Sequence, residues 1–204
     1  MKISCHSIGL FGGTFNPVHI GHLRLAEDVR EEFDLDLIVF IPAHIPPHKK
    51  ITHDPGSDHR VNMVRGAIEG NVNFLCDDIE LKRGGTSYTI DTVEYVYENY
   101  QFEKKPSFII GSDLYNELET WKDIGRLVKM VRFIVLLREN HEGGTLNEGK
   151  SLYRETGDFF FFRKRTLNIT SSEIRKRISQ NLSIQYLVTD AVFQYIKRNN
   201  LYTT

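Results

Sequence analysis

The stretch GGTFNPVHIGH, Gly12 to His22, lies between the apolar run SIGLF (Ser7 to Phe11) and the segment HLRLAEDVREEF (His22 to Phe33). The first run reads as a short buried strand. In the second, Leu23, Ala26, Val29, Arg30 and Phe33 recur at helical spacing, so strand gives way to helix within a few residues. Adjacent glycines at such a turn let backbone approach a ligand closely and can present N–H groups to a phosphate, with Thr14 and Phe15 continuing the same loop. Glycine also meets plain steric needs there, so GG alone decides nothing. His19 and His22, three apart at the helix start, project from one face beside the positive end of the helix dipole, where each imidazole can donate to a phosphate oxygen. Gly21 between them leaves room for a base or sugar against the helix backbone. A metal site is the competing reading of the pair, and it lacks a third ligand nearby.

Outward from this turn the alternation repeats. LIVFIPA (Leu37 to Ala43) reads as strand, Ser57 to Gly70 as helix, FLCDDIEL (Phe74 to Leu81) as strand and SYTIDTVEYVYENY (Ser87 to Tyr100) as helix. PSFIIGS (Pro106 to Ser112) is strand, IGRLVKMV helix, RFIVLLR (Arg132 to Arg138) strand, and FFFF (Phe159 to Phe162) a last strand before two helices. Strands alternating with helices imply βαβ units and right-handed crossovers. The expected fold is α/β, a doubly wound parallel sheet with helices on both faces and a C-terminal helical segment from about residue 168. A chain of 204 residues fits one such domain. Ligands of these sheets bind beyond the carboxyl ends of the strands, so the loops after strands carry the chemistry. Glu139 to Asp158, polar and glycine-containing, is expected to form an irregular or partly helical excursion.

Composition narrows the partners. A formal charge of -1 with no basic stripe argues against a nucleic acid polymer and for local phosphate recognition. Cys5 and Cys76 lie far apart without a CxxC partner, which signals neither a disulfide framework nor a zinc site and fits a reducing compartment. No run approaches the roughly 20 apolar residues that span a bilayer. A cytoplasmic protein without a membrane partner is expected; a homo-oligomer is compatible with the sequence, which does not specify one.

GGTFNPVHIGH resembles the signature of the HxGH nucleotidyltransferase superfamily, whose members transfer a nucleotidyl group from ATP or CTP to a phosphate acceptor. The literal HIGH also resembles class I aminoacyl-tRNA synthetases, but the chain has no KMSKS-like segment and no anticodon-binding portion. Within the superfamily, four further stretches narrow the branch. IPPHKK (Ile45 to Lys50) is a stiffened loop that presents His48 and Lys49 beside the sheet edge, or else a solvated basic loop. In NITSSEIRKRI (Asn168 to Ile178), Thr170, Ser171 and Ser172 cluster at a helix start with Arg175 one turn in, an arrangement that suits a triphosphate tail and also plain capping. It resembles the family's I-S-S-T-x-I-R, with hydroxyl residues exchanged and the arginine kept.

GGTSYTIDT (Gly84 to Thr92) and GSDLYNELETW (Gly111 to Trp121) resemble segments of the bacterial nicotinate-nucleotide adenylyltransferases. The resemblance implies that amides around Tyr88 and Thr89, with Lys122 after the tryptophan, hold a nicotinate carboxylate and that Trp121 stacks on the pyridine ring. It places Gly111 and Asp113 near the ribose or adenylyl side and Arg138 near the acceptor nucleotide, although Glu139-Asn140 follows where Pro-Gly is common. The implied reaction joins the adenylyl group of ATP to nicotinate mononucleotide. Gly12, Gly13, Thr14, Phe15 and Lys49 would hold phosphates, His19 and His22 would attend the transferring phosphates, Arg175 the pyrophosphate, and Mg²⁺ would arrive with ATP rather than in a protein cage. Tyr186 to Tyr202 resembles the family's closing helix, with Val192, Tyr195 and Ile196 as its apolar face, in a structural role. The competing readings are a phosphopantetheine adenylyltransferase, which leaves Trp121 unexplained, a nicotinamide mononucleotide acceptor, and a nucleotide sensor without turnover.

Overall fold

The computed structural model describes residues 3–47, 51–137, 153, 156–163 and 167–203. Its strands are β1 (Ile3–Cys5), β2 (Ile8–Gly13), β3 (Leu37–Pro42), β4 (Phe74–Cys76), β5 (Tyr100–Phe102), β6 (Ser107–Gly111), β7 (Arg132–Leu137) and β8 (Asp158–Arg163). The helices are α1 (Ile20–Glu32), α2 (Ser57–Ile68), α3 (Ile79–Arg83), α4 (Thr89–Asn99), α5 (Ser112–Asn116), α6 (Ile124–Met130), α7 (Ser171–Ser179) and α8 (Asp190–Arg198). Six strands form one parallel sheet in the order β4-β3-β2-β6-β7-β8, and β1 pairs with β5 in a separate parallel ribbon. This is the doubly wound, Rossmann-like arrangement expected from the alternation.

Strand residues point alternately to the two faces, and the core divides accordingly. Phe11, Ile38, Phe40, Ile109, Ile134 and Leu136 pack beneath α1, α2, α7 and α8. Leu10, Val39, Ile41, Phe108, Ile110, Phe133 and Val135 pack on the opposite face beneath α4 and α6. Burying each such side chain is worth about 1.5–3 kcal/mol, so the two layers fix the sheet's register. α8 covers the first layer through Val192 and Ile196, with Thr189 capping its start.

From β2 the chain winds outward through β3 and β4, then returns to the other side of β2 for β6, β7 and β8. The reversal opens a crevice at the carboxyl ends of β2 and β6, where a doubly wound sheet binds its ligands. Three local features differ from the sequence expectation. The strand begun at Phe74 stops at Cys76, because Asp77 turns the chain: its Oδ1 accepts from the Ile79 N–H at 3.0 Å and its Oδ2 accepts from the Tyr100 hydroxyl at 2.6 Å. α3 therefore occupies the second half of FLCDDIEL. The helix expected through Tyr100 ends at Asn99, and Tyr100–Phe102 becomes extended to pair with Ile3–Cys5. Most of the excursion expected over 139–158 lies outside the described residues, although Asp158 already belongs to β8. Among the described residues no helix is long and apolar enough to cross a membrane.

Candidate active site

Two cavities share the crevice, and Thr14 and Asp113 line both. Thr14 follows β2 and Asp113 sits in α5 just after β6, so the central strands carry both dividing residues. The first cavity, about 260 Å³, is largely apolar and is lined among others by Gly12, Gly13, Tyr88, Thr89, Phe108, Trp121 and Lys122. The second, about 470 Å³, gathers His19, Gly21, His22, Thr170, Ser171, Ser172 and Arg175. All four sequence-distant motifs, together with the opening turn, thus converge on one crevice, IPPHKK through Pro46 and Pro47.

The local geometry revises what the glycines do. A Cβ on Gly13 would lie 2.8 Å from the Phe15 ring, so this glycine is required for the ring to fold back over β2. Phe15 adopts a left-handed backbone (φ 48°), and its ring, 2% exposed, packs edge-on to Phe11 and to His22. Phe15, expected among the phosphate contacts, lines the second cavity, and its ring forms a floor under His22. A Cβ on Gly12 would meet only Phe108, at an ordinary 3.5 Å, so nothing in the protein demands glycine there. Gly111 lines neither cavity. A Cβ on it would collide with Asp113 Oδ1, so its smallness lets that carboxylate fold back over the end of β6.

His19 is the N-cap of α1, and its ring stacks on His22 with centroids 3.7 Å apart. The His19 N–H donates to His22 Nδ1 at 3.3 Å, so a neutral His22 carries its proton on Nε2, where it is a donor. Not every amide at this helix start is left for a ligand: the Ile20 N–H donates to the Leu187 carbonyl and the His22 N–H to the His19 carbonyl. Gly21 lines the cavity, and a Cβ there would press on His19 Nδ1 at 3.0 Å. Burial pushes His19 down to about 4, so at neutral pH its imidazole is uncharged. The unfolded chain takes up this proton near 6.5, the folded chain only near 4, and acid between those values favours unfolding. The expected result is a wild-type melting temperature that falls more steeply from pH 6.5 toward 4 than that of His19→Asn. Parallel slopes in thermal scans would remove the buried imidazole from the stability profile.

The hydroxyl cluster at α7 is more occupied than its sequence implies. Thr170 Oγ1 accepts from the Glu173 N–H as the N-cap, Ser171 Oγ donates to the Pro17 carbonyl at 2.8 Å, and Ser172 Oγ accepts from Arg175 Nη2 at 3.3 Å. Arg175 Nη1 donates to the Asn16 carbonyl at 2.7 Å, while its Nε is buried without an acceptor among the described residues. The guanidinium is therefore held in place before any ligand arrives.

In the first cavity, Tyr88 caps α4 and Thr89 opens it, so the start of an eleven-residue helix borders the chamber. Such a terminus attracts a carboxylate. Trp121 lies nearly perpendicular to Phe108, centroids 6.1 Å apart, and its indole N–H is buried without an acceptor among the described residues. Lys122 pairs with Asp91 at 2.9 Å and sits 4.7 Å over the Tyr88 ring. Lys49 and Arg138 lie outside the described residues.

Three groups that hold the site were not singled out from sequence. Arg60, fully buried, donates to the carbonyls of Thr14 (2.9 Å), Ala43 (2.6 Å) and His44 (3.2 Å), and pairs with Asp54 at 3.0 Å. A lone arginine beside Val61, Met63 and Val64 on the buried side of α2 is the signal that could have revealed it. Glu80, buried at the first cavity, accepts from Thr92 Oγ1 at 2.7 Å, and burial raises its carboxyl above the usual range. Ser87 ties the GGTSYT segment to the loop after β3, accepting from the His44 N–H and donating its own N–H to the Ile45 carbonyl, both at 2.9 Å. Among the described residues no three His, Cys, Asp or Glu side chains converge to hold a metal ion.

The sequence and fold have known counterparts. The cytidylyltransferase-like family model matches residues 10–177. A protein of Bacillus pumilus (strain SAFR-032) named "Probable nicotinate-nucleotide adenylyltransferase" is 42% identical over 96% of this chain and 97% of its own length. One of Desulfatibacillum aliphaticivorans with the same name is 37% identical over 96% and 99%. Among solved structures, Plasmodium falciparum nicotinic acid mononucleotide adenylyltransferase complexed with NaAD shares the fold, with a TM-score of 0.72, 22% identity, and coverage of 97% of this chain and 98% of that one.

Proposed function

The chain belongs to the nicotinate-nucleotide adenylyltransferase family, within the cytidylyltransferase-like group, and we propose that it joins the adenylyl group of ATP to nicotinate mononucleotide. The products are nicotinate adenine dinucleotide and pyrophosphate. The observation that carries this reading is the pair of cavities meeting at Thr14 and Asp113, one aromatic and bordered by a helix start, the other rich in phosphate donors. The whole chain is read as one nucleotidyltransferase domain, working in the cytoplasm.

In this reading the nicotinate ring enters the first cavity against Trp121, with its carboxylate at the start of α4 near Tyr88 and Thr89. The triphosphate occupies the second. A phosphate oxygen of the acceptor attacks the α-phosphorus of ATP, and the bond from that phosphorus to the bridging oxygen breaks, the electron pair leaving with pyrophosphate. The attacking oxygen is already anionic, so the protein needs no nucleophile of its own. Its work is alignment and charge stabilisation. His19, uncharged at neutral pH, and His22 donate to the phosphates in transfer. Arg175, held by Asn16 and Ser172, meets the charge growing on the leaving group. Asp113, the carboxylate common to both chambers, suits a ribose hydroxyl or a cation carried by the nucleotide. Mg²⁺ bound to phosphate oxygens would supply further charge neutralisation, and the donor set here fits that role better than a protein cage.

The decisive experiment is pyrophosphate release by the purified protein with Mg-ATP, comparing nicotinate mononucleotide with nicotinamide mononucleotide. A strong preference for the acid is expected, since a helix start and Lys122 border the ring site. Preference for the amide would overturn the assignment of Tyr88, Thr89 and Trp121, and silence with both would overturn the reaction.

A further inference from the structure

We propose that Tyr202 is a positioning residue for the phosphate chamber, acting through Asn16 on Arg175; the kinetic part of this inference rests on the adenylyl-transfer reading above. Asn16 lies in the loop between β2 and α1, is 4% exposed, and has each of its side-chain polar atoms engaged. Its Oδ1 accepts from the Tyr202 hydroxyl at 2.8 Å, and its Nδ2 donates to the Thr52 carbonyl at 3.2 Å. Its backbone carbonyl accepts from Arg175 Nη1 at 2.7 Å. One buried asparagine, through its side-chain amide and its backbone carbonyl, therefore joins the phosphate loop, the 51–53 segment, α7 and the residues after α8.

Tyr202 is itself held in an arrangement that needs a reason. Its φ of 64° is left-handed, a backbone that a bulky side chain adopts only where its surroundings over-determine it. Its ring is buried and also walls a third cavity of about 380 Å³ with Thr52, Ser172 and Arg175, which the second cavity shares. Among the described residues the hydroxyl donates to Asn16, and burial of the ring raises its ionisation well above the usual tyrosine range, so it remains a proton donor throughout the working pH range. A buried asparagine oxygen that loses this donor must turn or accept water, and either change moves the loop whose carbonyl anchors Arg175. Packing alone would be served as well by phenylalanine, which makes the hydroxyl the informative atom.

The test compares Tyr202→Phe with Leu201→Ala. The second variant removes packing at the neighbouring buried position, whose side chain makes none of the Asn16 hydrogen bonds. Melting temperature, KM for ATP, KM for nicotinate mononucleotide and the affinity for a non-hydrolysable ATP analogue are measured for both. Loss of one buried hydrogen bond predicts that Tyr202→Phe raises KM for ATP and weakens the analogue by roughly three- to ten-fold, with the acceptor KM unchanged. Leu201→Ala is expected to lower the melting temperature with both KM values intact. Wild-type ATP affinity in Tyr202→Phe, or an equal loss in Leu201→Ala, would overturn the brace. If the wild type releases no pyrophosphate, the reaction assignment fails, and analogue binding still decides the role of Tyr202.

Discussion

A His22→Ala enzyme is expected to fold and to release pyrophosphate about 10²–10³-fold more slowly than the wild type, the loss typical of one preorganised donor to developing charge. The expectation follows from three contacts. His22 stacks at 3.7 Å on His19, meets the edge of Phe15 at 5.2 Å and accepts from the His19 N–H, so its ring is fixed from two sides and its protonated nitrogen is Nε2. The same contacts predict a modest stability loss of about 1 kcal/mol, because alanine cannot accept the bond from the His19 amide. Single-turnover measurements at saturating ATP separate the two effects. A folded variant with near wild-type turnover would exclude His22 from the chemistry.

The second large effect concerns a residue that touches no substrate in this reading. Arg60→Ala strands the carbonyls of Thr14, Ala43 and His44 and leaves Asp54 without its cation. Removing one partner from a buried ionic network costs about 3–5 kcal/mol, which in a domain of this size lowers the melting temperature by roughly 6–20 °C. Arg60→Met, which keeps most of the side-chain volume, is expected to recover little, since the cost lies in unpaired carbonyls rather than in a void. Thermal or urea unfolding checks both variants. Melting within a degree or two of wild type would mean that water replaces the guanidinium at all three carbonyls.

Much of this architecture is legible in the sequence because its signals are local. The switch from SIGLF to HLRLAEDVREEF places β2 and α1, and the repeated alternation places the sheet. The departures arise from partners far away in sequence. Nothing within FLCDDIEL announces that Asp77 will accept from Tyr100, and nothing near Ile3 announces Tyr100–Phe102. The same holds at the site. His19, His22, Trp121 and Arg175 belong to recognisable motifs, whereas Arg60, Asn16 and Tyr202 gain their roles only when the carbonyls of Thr14, Ala43 and His44, the Thr52 carbonyl and α7 come together. Gly13 shows the converse, a motif residue whose most direct physical requirement is room for Phe15.

The sharing of Thr14 and Asp113 by two otherwise different chambers has a consequence for inhibition. A single compound carrying an aromatic acid at one end and an anionic group at the other could straddle that threshold, and it would surrender its translational freedom once for both halves. Linker length becomes the design variable, set by the span across two residues. Selectivity follows from the same geometry, since a protein with only the phosphate chamber offers such a compound half a berth.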